Sequence, residues 1–200
     1  MSESIENKML HRIAGKKKGW VFAPTHFLDL GNRAAIDQAL SRLVRSGDIR
    51  RLTRGLYDYP RKHPDFGDMP PSVDRIAAAL AEKDSLKIQP SGACAANLLG
   101  LSDQVPAKIV FLTDGSSRMV HVGNWRIKFK KTTPKNMATA GRVSGLVIQA
   151  LRYMKQENID DRIIKKLKGK LSDEDKKQLV SDLRYAPAWI EKVVRKLQGE

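Results

Sequence analysis

Hydrophobic positions near the start of the chain recur at helical spacing. Ile5, Met9, Leu10 and Ile13 predict a short amphipathic helix over residues 4–14, ended at Gly15. Trp20, Val21 and Phe22 read as a brief strand. Pro24 and Thr25 then open a short helix through Leu30, with Gly31 expected to close it in the left-handed conformation. Asn32 is a natural N-cap for a third helix, Arg33 to Ser46. Its apolar face is Ile36, Ala39, Leu40, Leu43 and Val44, and Gly47 ends it. Ile49 to Tyr59 alternates around Arg54-Gly55, the pattern of a β-hairpin.

Pro60, Pro64, Gly67, Pro70 and Pro71 predict a linker over residues 61–71, between a domain of residues 1–60 and one of 72–200. Beyond it Val73, Ile76, Ala77 and Leu80 give a helix, Leu86 to Gln89 a strand, and Ser91 the cap of an Ala-rich helix ending at Gly100. Two strands, Lys108 to Thr113 and Met119 to Val122, are joined across Asp114-Gly115. A third, Trp125 to Lys131, points Trp125, Ile127 and Phe129 inward and Arg126, Lys128 and Lys130 outward. From Met137 the pattern is helical, with segments at 137–155 and 159–168, one capped by Ser172 and a last one begun by Pro187. The class expected is α+β: an N-terminal winged helix-turn-helix, then an α+β domain with a small antiparallel sheet and a helical tail.

Charge narrows the function. The 200 residues carry 37 Lys and Arg against 22 Asp and Glu, a formal net charge of +15, which suits a polyanionic partner, nucleic acid first among them. The single cysteine, Cys94, excludes an internal disulfide, and its small apolar neighbours predict a buried thiol. His11, His26 and His63 have no matching ligands nearby, so no metal or cofactor is expected. No apolar run approaches the roughly 20 residues of a membrane span, and MSESIENKML lacks the order of a signal peptide. A cytoplasmic protein with no membrane partner is expected.

Enzyme signatures are missing too. AGKKKG has no Ser or Thr after its lysines at the P-loop spacing, no Gly-x-Ser-x-Gly elbow occurs, and no paired aspartates fall on a strand to hold two metals. Asp173, Glu174 and Asp175 follow Ser172, where carboxylates complement a helix N-terminus. The chain is read as a non-enzyme.

Three helices followed by a hairpin divide one binding problem among them. The third helix suits a major groove about 12 Å wide and the hairpin the flanking phosphates. Arg33, Gln38, Ser41, Arg42 and Arg45 lie on the polar face of that helix. Arg33 and Gln38, near its N-terminus, are assigned base readout, Arg to guanine and Gln to adenine, while Arg42 and Arg45 are assigned phosphates. Arg50, Arg51, Arg54 and Tyr57 on the hairpin are positioning contacts. Lys17 and Lys18 fit either a phosphate contact or a solvated loop. Trp20 and Phe22 fit core better than a stacking platform. Arg126, Lys128, Lys130 and Lys131 fit equally a second nucleic-acid surface and the solvated or edge-guarding face of a sheet. Gly141-x-x-x-Gly145 permits close helix packing.

The run AIDQALSRLVRSGDIRRLTRGLYDYP closely resembles the N-terminal winged helix of the AbiEi antitoxins of type IV toxin-antitoxin (abortive infection) systems, and IQPSGACAANLLGLSDQVPAKIVFLTDG resembles the start of their second domain. The resemblance spans roughly residues 20–135. It implies a transcriptional autorepressor that binds operator DNA with inverted repeats through helix 33–45 and wing 50–57. It also implies a larger C-terminal domain that counteracts a nucleotidyltransferase toxin encoded beside it. The rival reading is a basic nucleic-acid-binding or protein-interaction module without an operator of its own.

Overall fold

The computed structural model describes residues 3–104, 106 and 108–198. The protein is a mixed α+β chain, and Cα packing divides it into one unit of residues 1–85 with 121–125 and another of 86–120 with 126–200.

In the first unit, α1 (Ile5–Ala14) begins at Ser4, whose Oγ accepts the Asn7 amide at 3.2 Å. It buries Met9 and Ile13 completely. Strand β1 (Val21–Phe22) leads into a 3-10 turn, Pro24–Phe27. The longer helix expected through Leu30 does not form. Arg12 Nη1 donates to the His26 carbonyl at 2.7 Å and grips Asp29 with both terminal nitrogens at 2.8 and 2.7 Å, so the carbonyl that an α-helix would offer to Leu30 is occupied, and the Leu30 amide bonds Phe27 instead. Nor is Gly31 left-handed. Its lack of a side chain leaves room for Ile5, whose Cδ1 would lie 2.7 Å from a Cβ there.

Helix α2 (Arg33–Ser46) follows the expected rules. Asn32 Oδ1 accepts the Ala35 amide at 2.9 Å, and Gly47 closes the helix at φ 81°. Ile36, Ala39, Leu40 and Leu43 are buried. Strands β2 (Arg50–Thr53) and β3 (Leu56–Asp58) form the expected hairpin around Gly55 at φ 70°, with a bulge between Arg51 and Thr53. β3 also pairs antiparallel with β1, giving the order β1-β3-β2. Met9, Ile13, Phe22, Phe27, Leu40 and Ile49 meet in one core beneath this sheet and helix.

Residues 61–71 are not a bare linker. β4 (Arg61–His63) and β5 (Gly67–Met69) pair antiparallel. Pro60, Pro70 and Pro71 flank the strands and Pro64 sits in the turn between them, so no proline removes a ladder donor. α3 (Val73–Lys83), expected in the C-terminal domain, packs with the first unit, its face formed by Ile76, Ala77 and Leu80.

The second unit contains β6 (Ile88–Pro90), α4 (Ala93–Leu98), β7 (Ile109–Thr113) and most of β8 (Arg118–Val122) and β9 (Trp125–Lys131). Ser91 does not cap α4 with its side chain. Gly92 is the N-cap, at φ 57°, and the Ser91 carbonyl accepts from Cys94. The sheet order is β6-β7-β9-β8. β6 runs antiparallel to β7, but β7 and β9 are parallel, so the sheet is mixed rather than purely antiparallel. Ile127 and Phe129 are buried as expected, whereas Trp125 is 38 % exposed.

Helices follow: α5 (Pro134–Met137), α6 (Val143–Met154), α7 (Asp161–Lys170), α8 (Asp173–Ser181) and α9 (Ala188–Gln198). They close a core of Ala95, Ala96, Val147, Leu151, Leu167 and Ile190, among others. Ser172 and Asp175 form a reciprocal cap on α8. Gly141 lies outside α6, so the two glycines do not share a helix face. Gly145 alone is required, because a Cβ there would overlap the Thr139 carbonyl.

Candidate nucleic-acid interface

Residues at i, i+4, i+8 and i+12 of a helix form one slowly drifting stripe. On α2 that stripe is Arg33, Asp37, Ser41 and Arg45, all exposed. It faces the β2–β3 hairpin across a groove of about 400 Å³, whose opposite wall is Arg51, Arg54 and Gly55 and whose floor includes Val44 and Tyr57. Four arginines therefore line one concave surface with a single acid among them.

That acid is engaged. Arg33 Nε donates to both Asp37 oxygens, at 3.0 and 2.9 Å, leaving its two terminal nitrogens available. Both side chains are about half exposed, 58 % and 48 %, so the pair holds by only about 0.3–0.5 kcal/mol and yields readily to a stronger anion. Arg45, Arg51 and Arg54 form no ion pair among the described residues.

Arg50, expected beside them as a phosphate contact, is engaged elsewhere. Successive strand residues point to opposite faces; Arg50 donates to Asp58 through Nε and Nη2 at 3.0 and 2.7 Å and to the Met69 carbonyl at 3.0 Å. Asp58 is fully buried, so this pair fastens the sheet, and the hydrogen bonds that Arg50 donates to Asp58 raise the pKa of Arg50. Tyr57 is also reassigned. It is only 8 % exposed and its ring lies nearly parallel to Phe22, centroids 6.1 Å apart, because position 57 supplies the core beneath the groove.

Gln38 and Arg42 occupy the neighbouring exposed stripe of α2, where Arg42 meets Glu6 at 3.4 Å. Lys17 and Lys18 are not brought to the groove. Lys17 lines a separate hollow with Lys16, Trp20 and Arg75, and Lys18 Nζ sits 6.0 Å from the Tyr59 ring centroid. Phe22 is fully buried and Trp20 half-buried, with ring centroids 4.6 Å apart.

One cation near the groove escapes sequence reasoning. A Cβ on Gly55 would meet Lys83 Nζ at 3.3 Å, so the last residue of α3 stands beside the hairpin tip. Nothing in the sequence links positions 28 residues apart across a stretch that reads as a linker. The Arg33–Asp37 pair, by contrast, is legible as an i,i+4 spacing.

Among the described residues no cluster of three or more His, Cys, Asp or Glu is arranged to hold a metal ion, and no helix is long and apolar enough to cross a membrane. A comparison with curated proteins finds no match. The model of DUF6088, a family of unknown function, matches residues 8–179, and the chain belongs to that family.

Proposed function

We propose that the first unit is a winged helix-turn-helix that binds duplex DNA, with α2 in the major groove and the β2–β3 hairpin on the adjoining phosphates. The observation that carries this reading is the shared groove: the 33/37/41/45 stripe and the guanidinium-bearing edge of the hairpin line the same hollow. A pair of facing cationic walls suits a phosphate backbone entering between them, and the exposed helix stripe beside it suits base edges. The antiparallel order β1-β3-β2, with β1 preceding α2 in sequence, also fits a winged module.

Footprinting on the DNA upstream of the gene tests the proposal. A protected inverted repeat, its half-sites about one helical turn apart, is expected; uniform protection of all sequences would favour the basic module without an operator. Arg33→Ala or Gln38→Ala should cost about 1–3 kcal/mol at particular base pairs, whereas Arg51→Ala should weaken specific and random duplexes alike. Equal losses on both kinds of DNA for all three variants would remove the division of roles.

The resemblance to AbiEi antitoxins extends the proposal to autorepression combined with neutralisation of a nucleotidyltransferase toxin by the second unit. Co-expression with the neighbouring gene is then expected to restore growth, and an Arg51→Ala/Arg54→Ala double variant should lose repression while keeping that rescue. Loss of rescue in a folded double variant would show that protection runs through the groove.

A further inference from the structure

The second unit carries a charge asymmetry that the groove of the first leaves unexplained. From Gly115 to Gln156 the chain has no Asp or Glu, in a protein with 22 of them, and nine Lys or Arg. On β9 the separation of faces is sharp: Ile127 and Phe129 are 0 % and 1 % exposed, while Arg126, Lys128 and Lys130 stand exposed on the opposite side. The parallel register sets Val110 beside Lys128 and Leu112 beside Lys130. Continued by one residue, it brings exposed Lys108 level with Arg126. No acid faces this row from β7, and Lys108, Arg126, Lys128 and Lys130 form no ion pair among the described residues. Asp114, beyond the end of β7, accepts the Lys87 amide at 2.9 Å.

Protection of a sheet edge does not account for these cations, because β9 is an interior strand between β7 and β8. Like charges side by side on an interior strand repel one another and oppose folding. An anion of matching repeat laid along the row would relieve that repulsion.

We infer that this face binds single-stranded nucleic acid through its phosphates, without sequence preference. Same-face residues of a strand are spaced by about 6.7 Å, comparable to the step between phosphates of an extended chain. The face is covered over Gln89 and Leu112, where Gln89 Nε2 donates to the Gly145 carbonyl of α6 at 2.9 Å, and open along Lys128 and Lys130 of β9, which offers no helix to enter a major groove. It also bears no aromatic ring among Lys108, Arg126, Lys128 and Lys130 to read bases, so the attraction is that of counterion release.

Fluorescence anisotropy of the full chain with labelled oligo(U) and oligo(dT) of about 12 nucleotides tests this. Arg126→Gln/Lys128→Gln/Lys130→Gln should weaken both probes at least tenfold and flatten the log–log salt dependence by about 2, with duplex binding unchanged. Arg51→Ala/Arg54→Ala should do the reverse. Should the triple variant melt early, Lys128→Glu alone, with an unchanged melting curve, should still weaken the single strands and not the duplex. Equal binding of single strands by wild type and triple variant would overturn the inference. So would competition by poly-glutamate as strong, charge for charge, as by oligo(U), since the face would then be a docking site for acidic protein.

Discussion

Between 50 and 200 mM salt, the affinity of the protein for its operator duplex is expected to fall about 10³- to 10⁵-fold. The size follows from the number of phosphates neutralised and counterions thereby released. Arg45, Arg51 and Arg54 line the groove, Arg42 lies on the next stripe, and a two-fold complex on an inverted repeat would neutralise on the order of six to ten phosphates. Arg50 and Tyr57 should add nothing to the slope, one held by Asp58 and Met69 and the other buried. Titrations by anisotropy at four salt concentrations check this. A flat response would take the groove arginines out of the mechanism, and a slope unchanged in the Arg51→Ala/Arg54→Ala variant would place the contacts elsewhere.

Asp182→Asn is expected to destabilise the second unit by roughly 1.5–3 kcal/mol, the usual consequence of weakening hydrogen bonds to a buried charged acceptor, since Arg142, its ionic partner, is itself about half exposed. Asp182 is fully buried and accepts from Ser144 Oγ at 2.6 Å, Arg142 Nη1 at 2.9 Å and Gln178 Nε2 at 3.1 Å, tying the start of α6 to the end of α8. Burial alone would raise its pKa; the hydrogen bonds from Ser144, Gln178 and Arg142 outweigh that and hold it below the ordinary 3.8. A carboxylate depressed in the folded state contributes stability that is complete above its unfolded pKa and is lost as pH falls through the folded one. Wild-type protein should therefore lose stability progressively below about pH 4, and the Asn variant should start lower and depend less on pH over that window. Urea melts at pH 3, 5 and 7 measure both effects, and a variant within 1 kcal/mol of wild type at pH 7 would show that the cluster does not hold the helices together.

Much of the first unit was legible because its signals are local. Asn32, Gly47 and Gly55 specify a cap, a stop and a turn through their own backbone chemistry, and the apolar spacing of α2 fixed which side would face outward. Where a distant partner decides, local reading failed. Arg12 captures the His26 carbonyl and shortens the turn after Pro24; Asp58 captures Arg50 and takes it from the set of surface cations. Proline count suggested a linker at 61–71, yet the positions of those prolines around two short strands are compatible with pairing. The parallel alignment of β7 with β9 was hidden for a related reason: periodicity shows that a segment is a strand, but not which neighbour it selects.

That alignment bears on how the chain is made. β8 leaves the ribosome before β9, but β9 is the strand that joins it to β7. Until Lys131 has left the ribosome, the Ile109–Thr113 segment has only β6 beside it, and its other margin is bare. A nascent chain stalled in that interval would offer an open, apolar template to other copies, so slow translation while β9 is still inside the ribosome should favour aggregation, whereas a pause after β9 has emerged should be harmless.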